Sequence, residues 1–127
     1  MANIFLDANI LVDLLEKRKN ILLPALNGGE IYVSTLSIHI VLYVTKQKIL
    51  SFGIEELLSN INLIDFTSTT TQKAITGPTA DFEDNVQLHS AAEAECDVFL
   101  TSDKSLLKMK FFGKTKIISP EEMTPQL

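Results

Sequence analysis

Ile4-Phe5-Leu6-Asp7-Ala8-Asn9-Ile10-Leu11-Val12-Asp13-Leu14-Leu15 is the stretch that decides the fold. Three apolar residues in a row, without alternation, read as a strand buried on both faces. Aspartate follows at once. Leu11, Leu14 and Leu15 then recur on one helix face, which predicts a helix from Asn9 to Arg18. A buried strand passing through a short polar joint into a helix is the repeating unit of a parallel sheet covered by helices.

The same alternation continues outward. Ile31-Tyr32-Val33-Ser34 reads as a strand and Leu36 to Lys48 as a helix. Glu55 to Ser59 is a short helix before the strand Asn62-Leu63-Ile64-Asp65, and Thr70 to Ile75 is another short helix. Glu83 to Glu95 is a longer helix, Asp97 to Thr101 a strand, and Lys116-Ile117-Ile118 the last strand. The expectation is an α/β fold of three layers, α/β/α, around a central parallel sheet of about five strands. Leu36 to Val44 is apolar nearly all round, so it is expected as a central core helix, with a face against a second copy or a partner chain as the other reading.

The length of 127 residues fits one domain, 1–127, and Gly28-Gly29 and Gly77-Pro78 punctuate elements within it. A single cysteine, Cys96, excludes an internal disulfide framework and a multi-cysteine zinc site. No basic start followed by a long apolar run opens the chain, and Ile38 to Val44 is too short to span a bilayer. A cytoplasmic protein with no membrane partner is expected. Eleven basic against sixteen acidic residues give a net charge of −5, which speaks against a plain nucleic-acid clamp.

The charge is unevenly placed. All charged residues from Asp81 to Asp103 are acidic. Lys17-Arg18-Lys19 form one basic run, and Lys104, Lys108, Lys110, Lys114 and Lys116 form another with no acid between its ends. Asp7 follows the first strand and Asp103 follows the strand ending near Thr101. In an open parallel sheet, chemistry collects beyond the carboxyl ends of the strands where strand order reverses. If these two strands are neighbours there, Asp7 and Asp103 converge, with Asp81 and Asp84 at the start of the helix leading into the second one. Each acid also has a structural reading: Asp7 and Asp81 as helix N-caps, Asp84 in a first turn, Asp103 in a turn. Several carboxylates at one spot cannot all ionise without compensation. A hard divalent cation, Mg²⁺ or Mn²⁺, provides it and supports phosphodiester hydrolysis. Gln87, one turn beyond Asp84, shares its helix face.

These segments resemble the motifs of PIN-domain nucleases. Asp7 to Leu15 is similar to the family's opening motif, Asp81-Phe82-Glu83-Asp84-Asn85-Val86-Gln87 to its central acidic helix, and Ala94 to Lys104 to its last acidic strand end. Ile117 to Glu122 resembles its closing strand and turn. The resemblance implies a Mg²⁺- or Mn²⁺-dependent ribonuclease, and among small bacterial members the VapC-type toxins, which cut RNA, dimerise and are held by a cognate antitoxin. It implies Asp7, Asp84 and Asp103 as the metal-binding acids, Asn9 as the polar support of the first acid, Thr101 as the hydroxyl before the last one, and Asp81 as an accessory acid. One departure is clear. The family's further glutamate falls at about Ile40, and no acid lies between Ile31 and Glu55. The adjacent His39 lies about 100° round the helix, so it does not substitute; a core-edge place is expected for it. A metal-dependent RNA endonuclease toxin is the first reading. A PIN-like binding module without turnover is the alternative, motivated by Ile40.

Overall fold

The computed structural model describes residues 2–16, 29–46, 55 and 58–123. The basic run Lys17-Arg18-Lys19, the far ends of the first two expected helices and residues 56 and 57 of the expected Glu55 to Ser59 helix lie outside the described residues.

Six strands form one sheet: β1 (Asn3–Leu6), β2 (Glu30–Ser34), β3 (Asn62–Ile64), β4 (Val98–Leu100), β5 (Phe111–Phe112) and β6 (Thr115–Ile118), in the order β3-β2-β1-β4-β6-β5. The first four neighbouring pairs are parallel, and β5 pairs antiparallel with β6. The five expected strands are all present. The sixth, β5, closes a hairpin through Gly113-Lys114, with Gly113 at φ +60°. A two-residue hairpin turn needs that left-handed geometry at its first central residue, which glycine adopts at little cost.

Burial on both faces explains why the inner strands are unbroken apolar runs. Ile4, Leu6, Leu100 and Ile118 pack on one side with Ile10, Leu11 and Val12 of α1 (Ala8–Leu15), Val41 of α2 (Thr35–Thr45) and Met123 of α6 (Pro120–Met123). Phe5, Phe99 and Ile117 pack on the other with Leu88 and Ala91 of α4 (Phe82–Glu93) and Leu106 of α5 (Lys104–Leu107). The Phe5 and Phe99 rings stack at 5.4 Å across the two central strands. Cys96 joins this second core, where burial pushes its thiol up to about 12, so it serves packing.

Asn85 joins α4 to α3 (Ser68–Ile75). Its Nδ2 donates to the carbonyls of Ala74 and Thr79 at 2.9 Å, and its Oδ1 accepts from the Thr79 amide at 2.9 Å. At 2 % exposure this amide fixes where α4 begins, and so where its acids stand.

Two expectations for α2 are corrected. Only Ser37 and Val41 of this helix are buried, while Tyr43 is 77 % and Val44 56 % exposed. It is therefore not a central core helix: it packs against α1 and β2 and keeps Tyr43 and Val44 outward. His39 is exposed as well and stacks on Tyr43 one turn further, instead of sitting at the core edge.

Truncating Phe99 removes a fully buried ring at the middle of the sheet. Phe99→Ala is expected to cost about 3–5 kcal/mol, a typical value for such a change, read from urea unfolding. A loss below about 1 kcal/mol contradicts this placement of the core.

Candidate active site

Strands β2 and β3 extend the sheet to one side of β1, and β4 and β6 extend it to the other. The order therefore reverses between β1 and β4, and the crevice beyond their carboxyl ends is the expected place for a ligand. Asp7 and Asp103 are delivered there from the two sides.

Asp7 is 5 % exposed and caps α1. Its Oδ1 accepts from the Ala8 amide at 2.8 Å and its Oδ2 from the Thr101 hydroxyl at 2.7 Å. Thr101, fully buried, also accepts the Asp103 amide at 3.0 Å, so one hydroxyl ties both strand ends together. Asn9, expected to support Asp7, is exposed on the cleft wall, and the bonds that hold the carboxylate come from Ala8 and Thr101.

Asp81 caps α4 by accepting the Asp84 amide at 3.0 Å. Capping does not remove it from the cleft. A crevice of about 340 Å³ is lined by Asp7, Asn9, Asp81, Asp84 and Gln87, with Val12, Ile40 and Val44 as its apolar wall. Asp13 and Glu83 also line it, and neither was singled out from the sequence. The signal was present: Asp13 is four residues after Asn9 on the same helix face, and Glu83 lies between Asp81 and Asp84. Asp103 is outside the lining. Its Oδ1 accepts from the Ser105 amide at 2.8 Å, the Ser105 hydroxyl at 2.6 Å and the Leu106 amide at 3.4 Å, which makes it the N-cap of α5.

The electrostatics follow from this crowding. Burial raises Asp7 above its ordinary value, with Asp103 and Asp81 adding to the effect. Asp84 is pushed up to about 7, first by burial and then by the charges of Asp81, Asp7 and Asp103. Asp103 is held below its ordinary value by the Ser105 hydroxyl. Like charges gathered in a partly desolvated cleft retain protons that an incoming cation displaces.

Among the described residues no three acids stand ready to grip one ion. The expected trio is not assembled because Asp103 turns an oxygen to α5. The donor set, hard oxygens around an open polar crevice, fits a hydrated Mg²⁺ or Mn²⁺, which keeps several waters and takes one or two carboxylates directly. Ile40, where the resemblance places a further acid, stands in the wall of this crevice.

Gln87 contributes a different feature. It is 1 % exposed, and its Oε1 accepts from the Ser37 hydroxyl of α2 at 3.1 Å. Its Nε2 has no partner among the described residues, and neither has the Ser90 hydroxyl one turn on. The amide is thus half-satisfied at the inner wall of the carboxylate-lined cleft.

Comparison with known proteins agrees with this architecture. The PIN domain family profile matches residues 4–112. The chain belongs to the PIN domain family. No curated protein sequence matches it. Among solved structures, the VapBC2 complex from Rickettsia felis, bound to a DNA fragment from its promoter, aligns with a TM-score of 0.64 at 19 % identity, covering 92 % of this chain and 98 % of that one. A PilT N-terminus domain protein from the archaeon Sulfolobus solfataricus aligns with a TM-score of 0.68 at 12 % identity, covering 98 % and 92 %. At these identities what is shared is the fold.

The raised Asp84 gives a signed pH dependence. The unfolded chain releases this proton near 3.8 and the folded chain near 7, so cation-free stability falls as pH rises through that window. Asp84→Asn is expected to flatten the fall. Mn²⁺ is expected to raise the melting temperature more at pH 8 than at pH 5, because at pH 5 it competes with the proton. An equal shift at both pH values, followed by thermal denaturation, contradicts the site.

Proposed function

We propose that this PIN domain is a divalent-cation-dependent RNA endonuclease and the toxin of a toxin–antitoxin pair acting in the cytoplasm. The observation that carries the reading is the pair of carboxylates, Asp7 and Asp84, that share one cleft at the β1/β4 reversal. The likeness in fold to a VapBC complex supports the toxin assignment. Among the described residues, no helix is long and apolar enough to cross a membrane.

Asp7 and Asp84 would hold Mg²⁺ or Mn²⁺, with Asp81 and Asp103 adding negative charge around them. A cation held there would offset that charge and supply Lewis-acid activation of water for phosphodiester hydrolysis. The chain's own groups do the rest. Thr101 keeps Asp7 turned into the cleft by its 2.7 Å bond. Gln87, steadied by Ser37, braces the wall of the cleft between α2 and α4. Asn9, exposed on the same wall, contacts the strand as it enters. The outward Tyr43 and Val44 of α2 suit a second copy or the antitoxin.

A binding module without turnover is the second reading, and Ile40 in the cleft wall favours it. Cleavage of single-stranded RNA in Mn²⁺ separates the two. The nuclease reading expects turnover that is abolished by EDTA and reduced at least about 100-fold, or about 3 kcal/mol of barrier, in Asp84→Asn. RNA left intact by the wild type in Mn²⁺, with binding retained, supports the module instead. Ile40→Glu restores an oxygen ligand to the wall and is expected to tighten Mn²⁺ binding in calorimetry. Unchanged affinity means that this wall does not face the ion.

A further inference from the structure

The crevice has two unlike sides. Asp7, Asp81, Glu83 and Asp84 make one of them. Val12 of α1, with Ile40 and Val44 of α2, makes the other, and the exposed Asn9 stands beside Val12. Asn9 and Val12 are one turn apart on α1, and Ile40 and Val44 are one turn apart on α2, so each helix turns a short stripe to the crevice. The two helices pack against each other. The apolar side is therefore a slot built by a helix pair.

The chemistry of the slot narrows its occupant. All three apolar residues are β-branched, and such side chains hold one dominant rotamer in a helix. A wall that is already rigid loses little freedom when a ligand covers it. Among the described residues no lysine or arginine lines the crevice. The chain itself thus offers a phosphate no counter-charge here, and the acids repel one. A nucleotide recognised at this place by the chain alone is held by its base or its sugar. Asn9 brings an amide with both donors and an acceptor, and its side chain has no hydrogen-bond partner among the described residues. The crevice volume of about 340 Å³ suits one nucleotide better than a folded segment.

Unstacked bases are gripped by laying the ring on flat or apolar side chains while its edge exchanges hydrogen bonds. We propose that the slot of Val12, Ile40 and Val44 takes one unstacked nucleobase of the RNA, with Asn9 reading its edge. Ile40, where the resemblance places an acid, then serves the base. This deepens the nuclease reading and rests on it for the strand that brings the base; nucleoside binding tests the slot without it. The competing occupant is an arginine side chain of a protein, with its stem on the apolar wall and its guanidinium at the acids. Asn9 favours the base, whose edge carries donors and acceptors, whereas a guanidinium has no acceptor for the amide's donors. Tyr43, one position before Val44, is outside the lining and stays open to a protein on the outer face of α2.

The test follows the methyl signals of Val12, Ile40 and Val44 by NMR in EDTA. Adenosine, cytidine, ribose, adenosine 5′-monophosphate and N-acetylarginine amide are added separately at millimolar concentration. At least one nucleoside is expected to shift all three residues and to leave the core methyls of Val33 and Ile118 in place. Ribose is expected to shift none, and adenosine to bind more tightly than its monophosphate. Val44→Ser, at an exposed position, is expected to weaken nucleoside binding about 3-fold or more, the scale of a methyl group or two withdrawn from contact. Methyls unmoved by both nucleosides, an equal response to ribose, tighter binding of the monophosphate, or a response to the arginine amide alone each overturn the proposal. Cleavage of a mixed-sequence RNA in Mn²⁺ then ties the slot to the reaction. The wild type is expected to prefer particular nucleotides beside the cut, and Asn9→Ala to flatten that preference about 5-fold or more, the low end for losing a paired base contact. A uniform loss at every site, with the order of sites kept, overturns the reading role of Asn9. If the wild type cuts no RNA, the nuclease reading fails and the nucleoside titration still decides the slot.

Discussion

The Thr101 hydroxyl is the contact on which the site depends. It is fully buried, donates to Asp7 and accepts from the Asp103 amide. The first bond crosses the point where strand order reverses and the second holds the turn after β4, so a single side chain joins Asp7 to the segment that carries Asp103. It also lowers the cost of burying Asp7, whose carboxylate would otherwise have only the Ala8 amide. Without it Asp7 would have reason to turn outward, and the cleft would lose its innermost acid. The helices follow from the same junctions: Asp7, Asp81 and Asp103 each begin a helix and each contribute negative charge near the crevice.

Capping and function thus use the same residues, and they compete in one case. Asp7 and Asp81 cap and still face the cleft. Asp103 gives Oδ1 to three donors of α5 and stands back from the lining. With Ile40 and Val44 in its wall, the crevice is one-sided, acidic along α1 and α4 and apolar along α2. This asymmetry suits a hydrated cation on the acidic side. The net charge of −5, which first argued against nucleic acid, separates into an acidic crevice and a basic edge. The sum concealed two regions of opposite sign.

Much of this was legible in the sequence because buried parallel strands are continuous apolar runs and the acids follow them directly. Ile4 to Asp7 and Val98 to Asp103 carried both strand ends and their order. What escaped was of two kinds. The hairpin strand β5 is only two residues long, too short for a periodic signal, and its mark was the turn Gly113-Lys114. The burial of α2 was misjudged because apolar composition does not say which side a helix covers; Tyr43 and Val44 turned out to face outward. The partners of single polar groups escaped for a similar reason. Ser37 and Gln87 are fifty residues apart, and only the packing of α2 against α4 brings them to 3.1 Å. Asn9 was taken from the resemblance as the support of Asp7, a role that geometry gives to Thr101 and Ala8.

The central claim is that the crevice between the ends of β1 and β4 is a divalent-cation site. A crystal of the protein soaked in Mn²⁺ and measured at the manganese absorption edge tests it most directly. An anomalous peak within bonding distance of the Asp7 and Asp84 carboxylates, about 2.0–2.2 Å for a small hard cation, is the predicted result. A crystal at saturating Mn²⁺ with no peak in this crevice, or with manganese bound only elsewhere, contradicts it.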